Sequence, residues 1–215
     1  TRNYVPCDEV MRVEHLTVPH PTIQGRNIVD DIAFSLHKGE ILGIGGLVGA
    51  GRSEAMMAVF GADHRPGVHR KIFLDGKETR ISSPSDAVAA GIGFVTEERK
   101  LTGFIPNFSI CWNLTLAKIR NLPLRFGMCI DHSAERKQAE GMFQRMNVKA
   151  PSIDAMIVTL SGGNQQKVIL GKWLLKEPRI LIVDEPTKGI DVGAKAEFYK
   201  IMDQLTQEGV SIIMI

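Results

Sequence analysis

Four short apolar runs punctuate the chain: Ile41-Leu-Gly-Ile44, Ile92-Gly-Phe-Val95, Ile180-Leu-Ile-Val183 and Val210-Ser-Ile-Ile-Met-Ile215. Runs this short, apolar without alternation, are expected of strands buried in the middle of a sheet. Between them the period lengthens to that of helices. In Ser83-Pro84-Ser85-Asp86, Ser83 can cap, Pro84 fits the first turn and Asp86 meets the positive helix end, with Gly91 as the stop. After Asp191 apolar residues recur at Val192, Ala196, Tyr199, Met202 and Leu205 and stop at Gly209, which predicts a surface helix packed on the sheet. Further helices are predicted from Ser133 to Met146 and from Val168 to Leu175. Strand and helix alternate, so the fold class is α/β.

The first forty residues follow another pattern. Met11 to Val18 and Asp31 to Leu36 alternate apolar and polar side chains, as partly solvated antiparallel strands do. Residues from about Glu98 to Val158 lack a strong strand and predict a mainly helical insertion. A chain that stops on an apolar strand, with no turn or polar tail after it, is expected to be truncated at its C-terminus.

Composition narrows the partners more than the fold. With 215 residues, 44% of them hydrophobic, the chain can bury one sizeable core, or one with a smaller satellite. Lys and Arg total 26 against 24 Asp and Glu, a net +2 spread along the chain, so there is no basic stripe and nucleic acid is not an expected partner. Cys7, Cys111 and Cys129 lie far apart, odd in number and without a Cys-x-x-Cys pair, which fits a reducing, cytosolic setting rather than a disulfide framework or a zinc site. No run approaches the roughly 20 apolar residues of a membrane helix, and no signal-peptide pattern opens the chain. The sequons at Asn107 and Asn113 carry no weight without a secretory route.

Three segments carry candidate chemistry. Gly46-Leu-Val-Gly49-Ala-Gly51-Arg52-Ser53 follows a strand and precedes a helix, matching the phosphate-binding loop G-x-x-x-x-G-K-[ST] except that Arg52 stands at the lysine. Glycines there let backbone N–H groups close round phosphate oxygens at a helix N-terminus, and Ser53 would supply a hydroxyl to Mg²⁺. Alone, the segment also reads as a turn that packs a helix on a strand. A dinucleotide fingerprint fails at Val48 and again at Glu54. Asp184 and Glu185 end an apolar strand, where ligands bind in open α/β sheets; Asp184 would hold Mg²⁺ and Glu185 would polarise the attacking water. A solvated acidic pair fits the same pattern. Leu160-Ser161-Gly162-Gly163-Asn164-Gln-Gln opens a helix and offers a second anion loop, or simply a cap at Ser161. Two anion loops with one carboxylate pair are expected of domains that meet head to tail, each nucleotide lying between the first loop of one and the Ser-Gly-Gly loop of the other.

Taken in order with Asp184-Glu-Pro-Thr and Gly189-Ile-Asp191, these segments strongly resemble the ABC ATPase family over nearly the whole chain. The resemblance implies a P-loop NTPase core of RecA type at 1–97 and 166–215, with an N-terminal antiparallel β subdomain, and a helical signature subdomain inserted at 98–165. It implies ATP and Mg²⁺ as cofactors, held by Gly46, Gly49, Gly51, Arg52, Ser53 and Glu54, with Ser53, Asp184 and Glu97 at the metal and Glu185 as catalytic base. Ser161, Gly162, Gly163 and Asn164 then contact the partner's ATP, with Asp191 at the dimer contact.

The segments Gly46 to Glu54, Val95-Thr-Glu97-Glu-Arg-Lys100, Gly162 to Val168 and Asp184 to Lys195 are similar to bacterial importers of ribose, galactose and xylose. That similarity is to the second of two fused ATPase halves. It implies another half upstream, sugar permease subunits, a periplasmic sugar-binding protein acting indirectly, and a place on the cytoplasmic face of the inner membrane. Against the family pattern, Arg52 replaces the lysine, Glu97 replaces a glutamine, and no clear aromatic precedes the first loop to stack on adenine, His20 being the nearest substitute. Arg52 can still pair with phosphate but fits a tight nest less well. This half is therefore expected to bind ATP with slow or no turnover, and the isolated chain to be a poor ATPase.

Overall fold

The alternation near the N-terminus becomes strand β1 (Glu9–Pro19), antiparallel to β2 (Asn27–His37) in a computed structural model that describes residues 8–125 and 129–215. Met11, Val13, Leu16 and Val18 are fully buried, each contributing roughly 1.5–3 kcal/mol. Strict alternation would bury residue 15 instead. His15 has φ 53°, and the pairing of β1 shifts between Val13 and Leu16, so one extra residue bulges out and Leu16 returns to the core. β4 (His69–Leu74) and β5 (Lys77–Glu78) complete an antiparallel sheet in the order β2-β1-β4-β5. The turn between the last two is Asp75-Gly76, both at positive φ, the two-residue hairpin that this dipeptide favours.

The second sheet is built from β3 (Ile41–Gly43), β6 (Ile92–Val95), β9 (Ile180–Val183) and β10 (Ser211–Met214), in the order β3-β10-β9-β6. β10 runs parallel to both neighbours, pairing Ile212 with Ile41 and with Leu181. β6 and β9 are buried throughout, as their unbroken apolar runs require. β3 is not. It lies at an edge with Ile41 38% exposed, and β6 holds the opposite edge although buried, so the expectation of mid-sheet strands is corrected for both. Helix α1 (Arg52–Val59) leaves the loop after β3, and α2 (Pro84–Ala89) begins as expected, with the Ser83 hydroxyl accepting from the Asp86 amide and Gly91 at φ 81°.

The helical region opens with a π-helical turn, Arg99–Gly103, followed by α3 (Ile110–Thr115). A small hairpin, β7 (Leu124–Arg125) with β8 (Cys129–Ile130), precedes α4 (His132–Arg145) and α5 (Gly162–Leu174). α4 begins one residue before the expected Ser133, and Asp131 caps it by accepting from the Ser133 and Ala134 amides. α5 starts six residues before the expected Val168, because Gly162 to Lys167 are already helical. Gly171 lets the helices close up, since a Cβ there would lie 2.8 Å from a Leu114 methyl and 3.0 Å from Met142. Asn113 is buried and ties the loop before α3 through Ile105, Phe108 and Ser109, so the second sequon is a packing device.

The last helix, α6 (Val192–Gln207), buries Phe198, Met202 and Leu205, while Val192 and Tyr199 are 83% and 49% exposed. The inward stripe is thus rotated from the expected one, with Phe198 in place of Tyr199. Its bulk without a hydroxyl makes Phe198 the cheaper of the two aromatics to bury.

Two compact units result. One extends to Phe94 and adds Pro178–Glu185 and Ile201–Ile215; the other comprises Val95–Glu177 and Pro186–Lys200. These bounds differ from the division expected at 97/98 and 165/166, since α5 goes with the helical unit.

Candidate functional site

In the first unit the sheet order does what chain order cannot. β10 lies between β3 and β9, its Met214 carbonyl accepting from the Ile44 amide at 2.8 Å, while Ile215 donates to Val183 at 3.0 Å and accepts from the Glu185 amide at 3.2 Å. The glycine loop after β3 and the acid pair after β9 therefore leave the sheet at one edge, about two strand spacings apart, or roughly 10 Å.

Gly46 to Ser53 forms a turn whose apolar tips, Leu47 and Val48, are 84% and 97% exposed. Gly49 and Gly51 have φ near 80°, where side chains are strained. Gly51 is required twice over, because a Cβ would lie 2.7 Å from the Ile28 carbonyl oxygen. It occupies the cap position of α1 with no side-chain hydrogen bond to the helix, so the first-turn amides remain available to an anion. Glu54 is acidic in that first turn and complements the same helix end.

Arg52 lays its stem over Gly46, where a Cβ would lie 3.3 Å from its Cδ. Its Nη2 reaches 3.7 Å from Glu185 Oε1, with the two side chains 20% and 41% exposed. Glu185 has φ 39°, a left-handed conformation for a residue with a side chain, which costs about 1–3 kcal/mol and turns the chain sharply after the strand. Asp184 is 2% exposed. Among the described residues no cluster of His, Cys, Asp and Glu could hold a metal by itself. A single buried carboxylate and a serine hydroxyl suit a hard ion that takes most of its oxygens from phosphate and water. His20 uses Nδ1 to accept from the Thr22 and Ile23 amides at 3.2 and 3.1 Å, which fixes its ring in a turn.

In the second unit, Ser161, Gly163, Asn164 and Asp191 line a cleft of about 300 Å³ with Lys149, Lys167 and Glu197. Ser161 holds the cap position of α5 without bonding its amides; its hydroxyl instead accepts from Asn164 Nδ2 at 3.0 Å, and Asn164 Oδ1 accepts from the Lys149 amide at 2.8 Å. A simple cap at Ser161 is thus ruled out, and the α5 amides stay open. Asp191 accepts from the Ala194 amide at 2.9 Å and so starts α6; that bond, helped by Gly193 and Lys149, holds its carboxyl below the usual range. Lys167 pairs with Glu197 at 2.6 Å and donates to the Asn147 carbonyl, lowering the Glu197 carboxyl as well. Lys149, Lys167 and Glu197 were not identified from the sequence. Lys167 and Glu197 sit on different helices, and only folding makes them a pair.

Glu97 belongs to this second unit, where Lys188 pairs with it and lies 3.6 Å from Glu98. Arg99 was also missed. Its Nη1 donates to the Lys188 carbonyl at 2.7 Å and Nη2 to that of Gly189 at 3.3 Å. Gly162 and Gly163 are small for contact reasons: a Cβ on the first would lie 2.9 Å from Arg99 Nη2, and on the second 2.6 Å from the Ala194 methyl. The predicted residues thus gather into two sets, Gly46 to Glu54 with Asp184 and Glu185 in one unit, and Ser161 to Asn164 with Asp191 and Glu97 in the other.

Among the described residues, no helix is long and apolar enough to cross a membrane. The chain is 46% identical over 209 residues to the xylose import ATP-binding protein XylG of Geobacillus kaustophilus, with 96% of this chain and 40% of that protein covered. It is 47% identical to the protein of the same name from Escherichia coli, with 97% and 40% covered. The chain therefore spans about 40% of the length of the curated relatives it matches. In fold it is similar to a nucleotide-free ATP-binding cassette from an ABC transporter, at a TM-score of 0.78 and 17% identity, covering 96% of this chain and 81% of that one. A dimeric ATP-binding cassette in a post-hydrolysis state, bound to ADP and Pi, gives 0.78 at 18% identity, covering 95% and 86%. A family model described as ABC transporter matches residues 29–188. That match takes in both anion-ready loops and the strand that delivers the acid pair, and the chain belongs to the ABC transporter family.

Proposed function

We propose that this chain is the second nucleotide-binding half of an ATP-driven monosaccharide importer. The phosphates of ATP sit on the amides of Gly46 to Ser53 with Arg52 beside them. Ser53 and Asp184 hold Mg²⁺, with Glu97 a further ligand, and Glu185 polarises the attacking water. Ser161 to Asn164, with Asp191 at the contact, act on the nucleotide of a partner half fused upstream. Sugar permease subunits carry the substrate, a periplasmic binding protein delivers it, and this domain is peripheral on the cytoplasmic face of the inner membrane.

What supports the reading is the single sheet edge from which an uncapped helix start and a carboxylate pair both emerge, on either side of β10. The names of the relatives make xylose the first sugar to test. Uptake of labelled xylose, ribose and galactose by cells with and without the full-length gene tests the assignment. Unchanged uptake of every monosaccharide on deletion would reject it.

The Arg52–Glu185 pair favours a second reading, in which this half binds nucleotide but leaves hydrolysis to its partner. Transport by Glu185→Gln in the full-length protein decides between them, since a purely architectural Glu185 would leave transport intact.

A further inference from the structure

Arg99 opens a π-helical turn, Arg99–Gly103, that stands by itself between β6 and α3. Its guanidinium donates to two successive carbonyls, Lys188 at 2.7 Å and Gly189 at 3.3 Å. Both belong to the loop that leads into Asp191. On its other side the same group meets the start of α5, where the missing Cβ of Gly162 leaves the room it occupies: that atom would lie 2.9 Å from Nη2 and 3.0 Å from the Gly189 carbonyl oxygen. Gly189 has φ 65° and would itself bring a Cβ within 3.5 Å of Nη2. One planar cation is therefore enclosed by two glycines from distant parts of the sequence. Arg suits this place because its planar fork holds N–H donors at a fixed spacing and direction for two successive carbonyls, a geometry that a lysine ammonium does not reproduce.

The root of the turn is pinned as well. Lys172, on α5 and almost fully buried, donates to the Gly103 carbonyl at 2.6 Å. The turn is thus fixed to α5 at one end and reaches the 188–191 loop from the other. The Glu97–Lys188 pair runs parallel to the Arg99 contact, and a surface pair of this kind contributes little by itself.

We propose that Arg99 is a positioning residue: it locks the 188–191 loop against the Gly162 end of α5, so that Asp191 and Ser161 are presented together to the nucleotide. This role rests on the proposed function above. Arg99 touches no reacting atom and works only through the placement of those two residues.

The test uses the full-length protein with Arg99→Lys and, in parallel, Ser161→Ala. For Arg99→Lys the expected result is a fall in kcat for MgATP hydrolysis of about tenfold with KM within about twofold, since misplacement acts on the transition state. Amide hydrogen exchange over residues 189–194 should accelerate with the melting temperature unchanged. Wild-type kcat and exchange in Arg99→Lys, beside an impaired Ser161→Ala, would overturn this role alone. A drop in melting temperature without local exchange changes would assign Arg99 to general stability and overturn it equally. A silent Ser161→Ala would remove the site that Arg99 serves, and the proposed function with it.

Discussion

Arg52 and Glu185 face each other at the edge of the parallel sheet, Nη2 3.7 Å from Oε1, although 133 positions separate them in the chain numbering. One belongs to the loop that would cradle phosphate and the other is the base that would prepare water. Each engages part of the charge the other would offer to substrate. A shorter ammonium at position 52 would change that balance, which gives the arginine a measurable consequence.

Arg52→Ala is expected to weaken ATP binding roughly 10- to 100-fold, the loss of one charge-assisted hydrogen bond worth about 1.5–3 kcal/mol. Arg52→Lys is expected to keep affinity within a few fold and to raise the hydrolysis rate by releasing Glu185. Titration with a fluorescent ATP analogue and a steady-state ATPase assay measure the two effects. Equal rates for Arg52→Lys and the parent would show that the ion pair does not restrain the base.

If this half hydrolyses ATP, Glu185→Gln should lower its turnover by about 10²- to 10⁴-fold, the range for loss of a general base, while nucleotide affinity stays near that of the parent. Single-turnover assays read the chemical step directly.

Gly51→Ala should destabilise the first unit. The position has φ 78°, and the added methyl would lie 2.7 Å from the Ile28 carbonyl oxygen, backbone that moves only with β2. A cost of about 1–3 kcal/mol corresponds to a fall of roughly 2–12 °C in melting temperature for a chain of this size. Gly49→Ala meets no atom within 4 Å and carries only its φ of 80°, so it should cost less.

Lys172 links stability to pH. Burial pushes its ammonium down to about 8 from an ordinary 10.5. Between those values the unfolded chain holds the proton that the folded chain has released, so this group makes stability rise with pH from about 8 to 10.5. Below pH 8 both states are charged and the burial penalty is present in full. The difference in unfolding free energy between the parent and Lys172→Met should therefore grow in the parent's favour over that window, by up to ~3 kcal/mol. Urea melts at pH 7, 8.5 and 10 measure it; a flat difference would mean that Lys172 stays charged throughout.

Much of this molecule could be read from its residues. The apolar runs at 92–95 and 180–183 coincide with β6 and β9, and Ser83 caps α2 through the expected amide. These features are local, set by side-chain periodicity and by groups within one turn of one another. The glycine loop and the Ser161 loop could be singled out for the same reason: a turn proposed to bind phosphate needs particular residues at adjacent positions. The Asp75-Gly76 hairpin is equally local, set by the dipeptide at its turn.

What the sequence by itself determined was the family and the buried strands and main helices, together with the short segments proposed to carry chemistry. Only the tertiary structure decided their partners. β3 and β6 hold opposite edges of one sheet, yet only β3 is exposed, and the choice of Phe198 over Tyr199 depends on how α6 is rotated, which a pattern of threes and fours leaves open by one residue. The meeting of Arg52 with Glu185, of Lys167 with Glu197, and of Arg99 with the Lys188 and Gly189 carbonyls joins residues 30 to 133 positions apart. Such contacts exist because β10, the last strand in the chain, is inserted between β3 and β9, and because glycines at 162 and 163 let two segments approach to within a Cβ of each other. Periodicity encodes which face of an element is buried, but not which element will bury it.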